Sequence, residues 1–446
     1  MSNNHRVPVF KGHWLLGNVP AFRRDPIAAF TKGWAECGDL VHFRIAGPIS
    51  FYLLAHPADI KHVLQDNHEN YQKDPLHSAK LKTFAGQGLT MSEGALWQRQ
   101  SRLMRPAFRP SNLDSLIPDI VTPTTEMLES WRSFSQSGQP IDVSAEMLCL
   151  SLRIVMRALF DVDPYDKAEA IVDSSAILLD HAYREMRNYI GLPYWLPSSA
   201  NRRFLAARHS MDQLAYDIID LRRRTPNKRK DLLSLLLEAA SDKKAPISDK
   251  QIRDEMITMI LAGHDTTGVA LAWTMYLLAQ HPAKSERAAA ELSAISGTPR
   301  LSDNLSYTEA VFDEAMRLFP PAWVLSRKSL GHDEFRGYRI PPGSNVFLSP
   351  FITQRHPDFW QNPDQFVPER FTATTRDAQT EYAYFPFGGG SRQCIGRIFA
   401  LTMAKFVLTM VLRNYRLSLP TKYPVRPMPK LTLHPESNIV MRLERI

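Results

Sequence analysis

Cysteine is scarce in this chain, with only Cys37, Cys149 and Cys394 among 446 residues and no CxxC spacing. That excludes a disulfide framework and a four-cysteine zinc site, and it points to a reducing compartment. Long apolar runs are also missing. The first 26 residues are interrupted by Arg6, Lys11 and the Arg23–Arg24 pair, so neither a signal peptide nor a membrane anchor is expected. No later stretch reaches the ~20 apolar residues of a spanning helix, and a soluble, cytoplasmic protein is expected. Repeats and low-complexity segments are lacking too. Basic residues outnumber acidic ones, 54 to 46, for a net charge of +8. The excess is spread along the chain, whereas a nucleic-acid binder would concentrate it. The densest run, 222-RRRTPNKRK-230, contains Pro226 and reads as a solvated loop between two helices.

What is present is a globular balance, 44% hydrophobic and 22% charged. Strand candidates such as 40–46 and 50–55 occupy the first 70 residues. Helical periodicity dominates from about 90 to 320, with clear segments at 144–160, 167–186, 231–241 and 248–282. Prolines crowd 320–370 around a strand candidate at 344–349. A final helix at 395–413 precedes a β-like tail at 431–443. The expected fold class is mainly α with a smaller β-rich lobe. That lobe draws on 1–70, 320–385 and the tail, and the helical body on 90–320 and 395–413. Because the lobe uses both ends of the chain, residues 1–446 read as a single domain.

Three stretches could carry chemistry. The apolar helix at 248–282 contains Gly263-His264-Asp265-Thr266-Thr267 at its middle, where helix propensity should be best. Either a large group packs against the glycine and uses the polar residues, or the helix is kinked around a hydrogen-bonded threonine; His264 reads as structural. Glu314 and Arg317 share a helix face three residues apart, ahead of the helix-ending Pro320-Pro321. With Arg370 in 366-FVPERF-371 they could form a bidentate network bracing a loop. The third stretch is 385-FPFGGGSRQCIG-396. Its glycines 388–390 are conformationally free, and Cys394 stands just before a helix, where the dipole favours a thiolate. No partner histidine for a nucleophile and no further zinc ligands are identifiable. A lone thiolate with space beside Gly396 fits a haem iron ligand.

On these residues the sequence closely resembles the cytochrome P450 superfamily. F-x-x-G-x-R-x-C-x-G is met by Phe387, Gly390, Arg392, Cys394 and Gly396. A/G-G-x-D/E-T-T is met by Ala262 to Thr267, E-x-x-R by Glu314 and Arg317, and P-E-R-F by Pro368 to Phe371. The looser likeness of 14-WLLGN-18 and 97-WQRQSRLMRPAF-108 extends the resemblance over essentially the whole chain. It implies a haem between a long distal helix and the loop of the proximal cysteine.

The resemblance further implies that Cys394 is the proximal thiolate, donating electron density that favours O–O cleavage. Phe387 would shield it, with Gly388 shaping the loop. Arg392, Trp97 and Arg327 would hold the propionates. Related sequences place a basic residue four positions after the tryptophan; here that position is Ser101, so Arg102 or a water would substitute. Asp265 and Thr266 would deliver protons, and Ala262 and Gly263 would let the helix lie close over the haem. Glu314, Arg317 and Arg370 would brace the proximal loop.

The implied activity is monooxygenation of a hydrophobic organic molecule, a terpenoid, fatty acid or polyketide, by a monomeric enzyme. It would use haem b, O2, and electrons from NAD(P)H through separate proteins. A ferredoxin or flavodoxin with its reductase would dock at Arg99, Arg102, Arg105, Arg109 and Arg397. The substrate pocket would be lined near 76–89, 180–196, 260–266, 321–325 and 433–438, with 189–197 as a lid. A P450-fold peroxygenase or isomerase, and a non-catalytic haem sensor, are the alternatives; loss of Asp265 or Thr266 would have favoured them.

Overall fold

The computed structural model describes residues 6–47, 49–187, 198–227, 229–293, 295, 297–372, 379–420 and 424–446. The expected lid at 189–197 lies outside these residues. Two compact units emerge, each assembled from distant stretches of chain.

The first unit comprises 1–78, 313–394 and 432–434. Its five-stranded sheet is built from β1 (Leu40–Ala46), β2 (Ile49–Leu54), β3 (Tyr71–Gln72), β4 (Leu325–Ser329) and β5 (Asn345–Leu348), in the order β1–β2–β5–β4–β3. β1 and β2 form an antiparallel pair, β2 runs parallel to β5, and the other pairings are antiparallel. Side chains alternate along a strand, so each face collects its own core. Val41, Phe43, Ile45, Phe51 and Leu53 join Phe10 and Phe30 in one cluster. Leu40, Leu54, Val346 and Leu348 join Ile60 and Phe385 in the other. Burying one such side chain stabilises by roughly 1.5–3 kcal/mol, while polar strand residues such as His42, Arg44, Arg327 and Lys328 remain partly or fully exposed.

The second unit comprises 79–312, 395–431 and 435–446. Its helices include α1 (Gly94–Met104), α2 (Val143–Phe160), α3 (Asp249–Gln280), the first half of α4 (Ser306–Leu318) and α5 (Arg397–Asn414). Each starts or stops for a local reason. Asp142 caps α2 by accepting from Ser144 and Ala145 N–H, and Ser248 caps α3 through Gln251 N–H. Pro282 follows α3 directly and opens the next helix. α3 packs along α2, and Gly263 and Gly268 permit the approach. A Cβ at Gly263 would stand 3.0 Å from Val155, and one at Gly268 would stand 2.9 Å from the Leu148 backbone.

One expectation changes here. Most of the tail belongs with the helices, not with the β-rich lobe. Val440–Arg445 pairs antiparallel with Tyr415–Ser418 and Ile141–Asp142, burying Met441 and Leu443 on the inward face. The basic run is largely the expected exposed loop between two helices, with 223–227 and 230 open to solvent. Two of its arginines are held: Arg222 is buried in a bidentate pair with Asp231 and also donates to the Phe160 carbonyl, and Arg229 pairs with Asp119 and Asp161. Among the described residues no helix is long and apolar enough to cross a membrane.

Candidate active site

In the first unit, Cys394 sits at the end of a loop that its own backbone closes. Gly388 N–H donates to the Phe385 carbonyl at 2.9 Å, and Cys394 N–H donates to the Phe387 carbonyl at 3.0 Å. The triple glycine has separate causes at its positions. Gly388 and Gly390 take left-handed φ values of 67° and 63°, which cost other residues strain. A Cβ on Gly389 would strike the Tyr382 ring, and one on Gly390 would lie 1.8 Å from the Leu64 carbonyl oxygen. Tyr382 is itself fixed by donating to Gln65 at 2.9 Å. The loop thus presents Cys394 exposed, with Phe387, Gly388 and Arg392 partly buried beside it.

Glu314, Arg317 and Arg370 come together in the same unit. Arg317 is fully buried and satisfies all five donors. Nε and Nη2 grip Glu314 at 2.7 and 2.8 Å, and Nη2 also reaches the Gln365 carbonyl at 3.0 Å. Nη1 donates to the carbonyls of Gln354 and Pro363. Arg370 Nε lies 3.4 Å from Glu314 as an ion pair without a hydrogen bond, and burial pushes its guanidinium pKa down. Val367 N–H completes the Glu314 oxygens.

Gln354, which no motif announced, connects this network to the cysteine loop. Its amide donates to the Met316 and Arg317 carbonyls and accepts from Phe385 N–H at 3.0 Å. Tyr384 adds a second tie, donating to Asp313 at 2.9 Å. Arg327 lies on β4, partly buried, donating to the Ser326 carbonyl.

In the second unit, α3 stays helical through Gly263 to Thr267. Every residue from Ile252 to Leu278 is buried except Ala262, Gly263 and Thr266. Those three, spaced i, i+1 and i+4, form one open face on an otherwise enclosed helix. Thr266 Oγ1 donates to the Ala262 carbonyl at 2.7 Å, so the hydroxyl hydrogen is held by the backbone and its lone pairs are left available. Asp265 is buried beside it. His264 is buried with Nδ1 2.7 Å from the Ile260 carbonyl, which places the proton on Nδ1.

On α1, Trp97 is half-buried, Ser101 is buried one turn later, and Arg102 is exposed. Five residues apart, Trp97 and Arg102 project in different directions, so the structure does not bring them together on one face. Arg99, Arg105 and Arg109 are exposed as well, and Arg397 is partly buried at the start of α5.

The donor chemistry suits a haem with one protein ligand. Among the described residues there is no cluster of three or more His, Cys, Asp or Glu able to hold a metal ion, while one thiol stands exposed on a rigid loop. Two small residues and a threonine make the open face in the buried middle of α3, the longest helix among the described residues.

Comparison with known proteins gives the same direction. A model of the cytochrome P450 family matches residues 7–442. Cyclooctatin synthase of Streptomyces melanosporofaciens is 36% identical, with 94% of this chain and 91% of that protein covered. The cyclooctat-9-en-7-ol 5-monooxygenase of the same organism is 31% identical over 94% and 89%. Pentalenene oxygenase of Streptomyces avermitilis is 29% identical over 96% and 95%. The chain belongs to the cytochrome P450 family and is a monooxygenase that uses haem b, O2 and electrons passed from NAD(P)H by redox partners.

Proposed function

We propose that this enzyme oxygenates a cyclic terpenoid, with Cys394 as the thiolate that would hold the haem iron and Asp265 and Thr266 as the groups that would handle protons. The observation that carries the site assignment is the open face of Ala262, Gly263 and Thr266 in the otherwise buried stretch Ile252–Leu278. The substrate class is supported by relatives whose names describe cyclic alkenes and alkenols.

When bound, haem b supplies O2 binding and O–O cleavage. Cys394 contributes anionic sulfur from a loop that the glycines and Gln354 keep from shifting. Arg392, Arg327 and Trp97 would hold the propionates; Arg102, exposed and turned away from Trp97, would not. Ala262 would keep the distal surface low enough for a flat ligand, while Gly263 lets α3 close on Val155 of α2. Thr266 would accept a hydrogen bond through its lone pairs while its own hydrogen rests on the Ala262 carbonyl, and Asp265 would be the acid that supplies a proton to the site. The Glu314–Arg317–Arg370 network holds the loop's base. Electrons arrive from a ferredoxin or flavodoxin steered to Arg99, Arg102, Arg105, Arg109 and Arg397, and the enzyme works in the cytoplasm as a monomer.

The test is a carbon monoxide difference spectrum, followed by spin-state titration and turnover with cyclic terpene alkenes, fatty acids and macrolactones using surrogate redox proteins. The wild type should give the red-shifted Soret band of thiolate ligation, and Cys394→His should lose both that band and product while retaining haem. Turnover confined to fatty acids or macrolactones would remove the terpenoid assignment.

A further inference from the structure

Asp254 and Glu255 are adjacent acids in the buried part of α3, about three turns before Thr266, and the chemistry above uses neither. Both are 1% exposed, and both point their carboxylates at one short segment, Gly86-Gln87-Gly88-Leu89. Gln87 N–H donates to Asp254 Oδ2 at 2.9 Å, and Leu89 N–H donates to Glu255 Oε2 at 2.8 Å. The Gln87 carbonyl accepts from Gln100 at 2.7 Å and from Gln251 at 3.3 Å. Side chains are excluded where the segment touches the helix. A Cβ on Gly86 would overlap the Asp254 carboxylate, and one on Gly88 would lie 2.0 Å from Thr258 Oγ1. Four hydrogen bonds and two glycine contacts therefore seat four residues.

We propose that Glu255 is a positioning residue for substrate binding: its carboxyl seats the 86–89 segment on α3 as part of the pocket wall, and loss of its proton unseats that segment. The proposal rests on the reading above, in which 86–89 borders the substrate.

The two acids differ in their surroundings. Asp254 is paired with Lys250 at 2.9 Å and Arg253 at 2.8 Å, and Arg253 is also held by Asp212. Glu255 has no cation within ion-pair distance; it accepts only from Leu89 and from Gln251 Nε2 at 3.0 Å. It lines a cavity of about 270 Å³ shared with Arg99, Gln100, Gln251, Leu103 and Leu236. The segment 86–89 brings no titratable group, and Arg99, exposed on α1, is the one charge facing the cavity from another element. Gln100 Oε1 lines the same cavity, buried and without a hydrogen bond. A protonated carboxyl in that cavity requires an acceptor, and Gln100 Oε1 is the unpartnered one on a lining residue.

Burial pushes the Glu255 pKa up to about 7, outweighing the two donated hydrogen bonds and adding to repulsion from Asp254. The sign follows from linkage. The seated state holds the proton more tightly than an unseated one exposed to water, so seating is favoured at low pH. It weakens as pH rises from the ordinary carboxyl range to about 7, and is constant above that.

The experiment is hydrogen exchange on the full-length ferric haem protein from pH 5 to pH 8, corrected for intrinsic rates. It is paired with Soret titration by 4-phenylimidazole. In the wild type the opening constant of the Leu89 amide should rise at least about tenfold across this range. Glu255→Gln keeps a neutral acceptor, so it should stay protected with no such rise. Glu255→Ala should exchange fast at every pH. Probe affinity should follow the same order, with the wild-type to Glu255→Gln ratio changing about threefold or more between pH 5 and pH 8. Identical exchange in the wild type and Glu255→Gln overturns the seating role, whether or not the alanine variant folds. Altered exchange with unaltered probe affinity overturns the segment's place in the pocket wall while leaving the seat intact.

Discussion

At the scale of single residues, Thr266 shows how a helix can carry a partly exposed hydroxyl at little structural expense. Its hydroxyl bonds back to Ala262, a habit that lets threonine sit inside helices. Replacing Thr266 with alanine should leave the fold intact, changing stability by no more than about 0.5 kcal/mol because alanine has the higher helix propensity. Electron use should separate from product, measured as peroxide released per NADPH consumed; unchanged coupling would remove Thr266 from the proton route. The Gly-His-Asp-Thr-Thr interruption was legible because it conflicts with its apolar neighbours. The cause of Gly263 was only half legible. The missing side chain faces Val155 on α2, a contact set by residues more than a hundred positions away. Glu255 carries the same signal, acids inside an apolar helix, and it could have been noticed by the same conflict.

At the scale of elements, Arg317 is the part on which the cysteine loop most depends. All its donors are used, three of them on backbone carbonyls at 354, 363 and 365. Arg317→Met should lower unfolding free energy by about 3–5 kcal/mol, because it leaves the Glu314 carboxylate buried against a weakly bonded Arg370. Denaturant titration measures this, and a loss below about 1 kcal/mol would show the network to be dispensable.

Helix positions were readable from periodicity and caps. The 144–160, 231–241 and 248–282 expectations fall within two residues of Val143–Phe160, Leu232–Ala240 and Asp249–Gln280. The partner carbonyls were not readable, since a backbone oxygen carries no residue identity. Gln354 was hidden for a related reason: an isolated glutamine forms no motif, and only its contacts give it meaning. The basic run 222–230 is exposed loop over most of its length, as expected, but charge pattern alone did not show that Arg222, Arg223 and Arg229 are answered by Asp119, Asp161, Asp231 and Asp249, scattered through the unit.

At the scale of the whole molecule, the proposed docking of a redox partner on the exposed arginines predicts a charge-dependent rate. Arg105→Glu with Arg109→Glu should slow electron delivery from an acidic ferredoxin about tenfold or more at low ionic strength. The deficit should shrink in high salt, since screening shortens the reach of both patterns. Stopped-flow reduction measures it, and a salt-independent effect would argue against steering.

The order in which the chain closes each unit also has a consequence for synthesis. The first unit needs 313–394 and then 432–434, and the second needs the strand at Val440–Arg445 beside Ile141–Asp142. Neither can complete its contacts until nearly all 446 residues have left the ribosome. The nascent chain must therefore carry unpaired strand edges and helix faces throughout elongation. A stop codon a few dozen residues early would deprive both units at once, yielding a product for proteases and chaperones instead of a weaker enzyme.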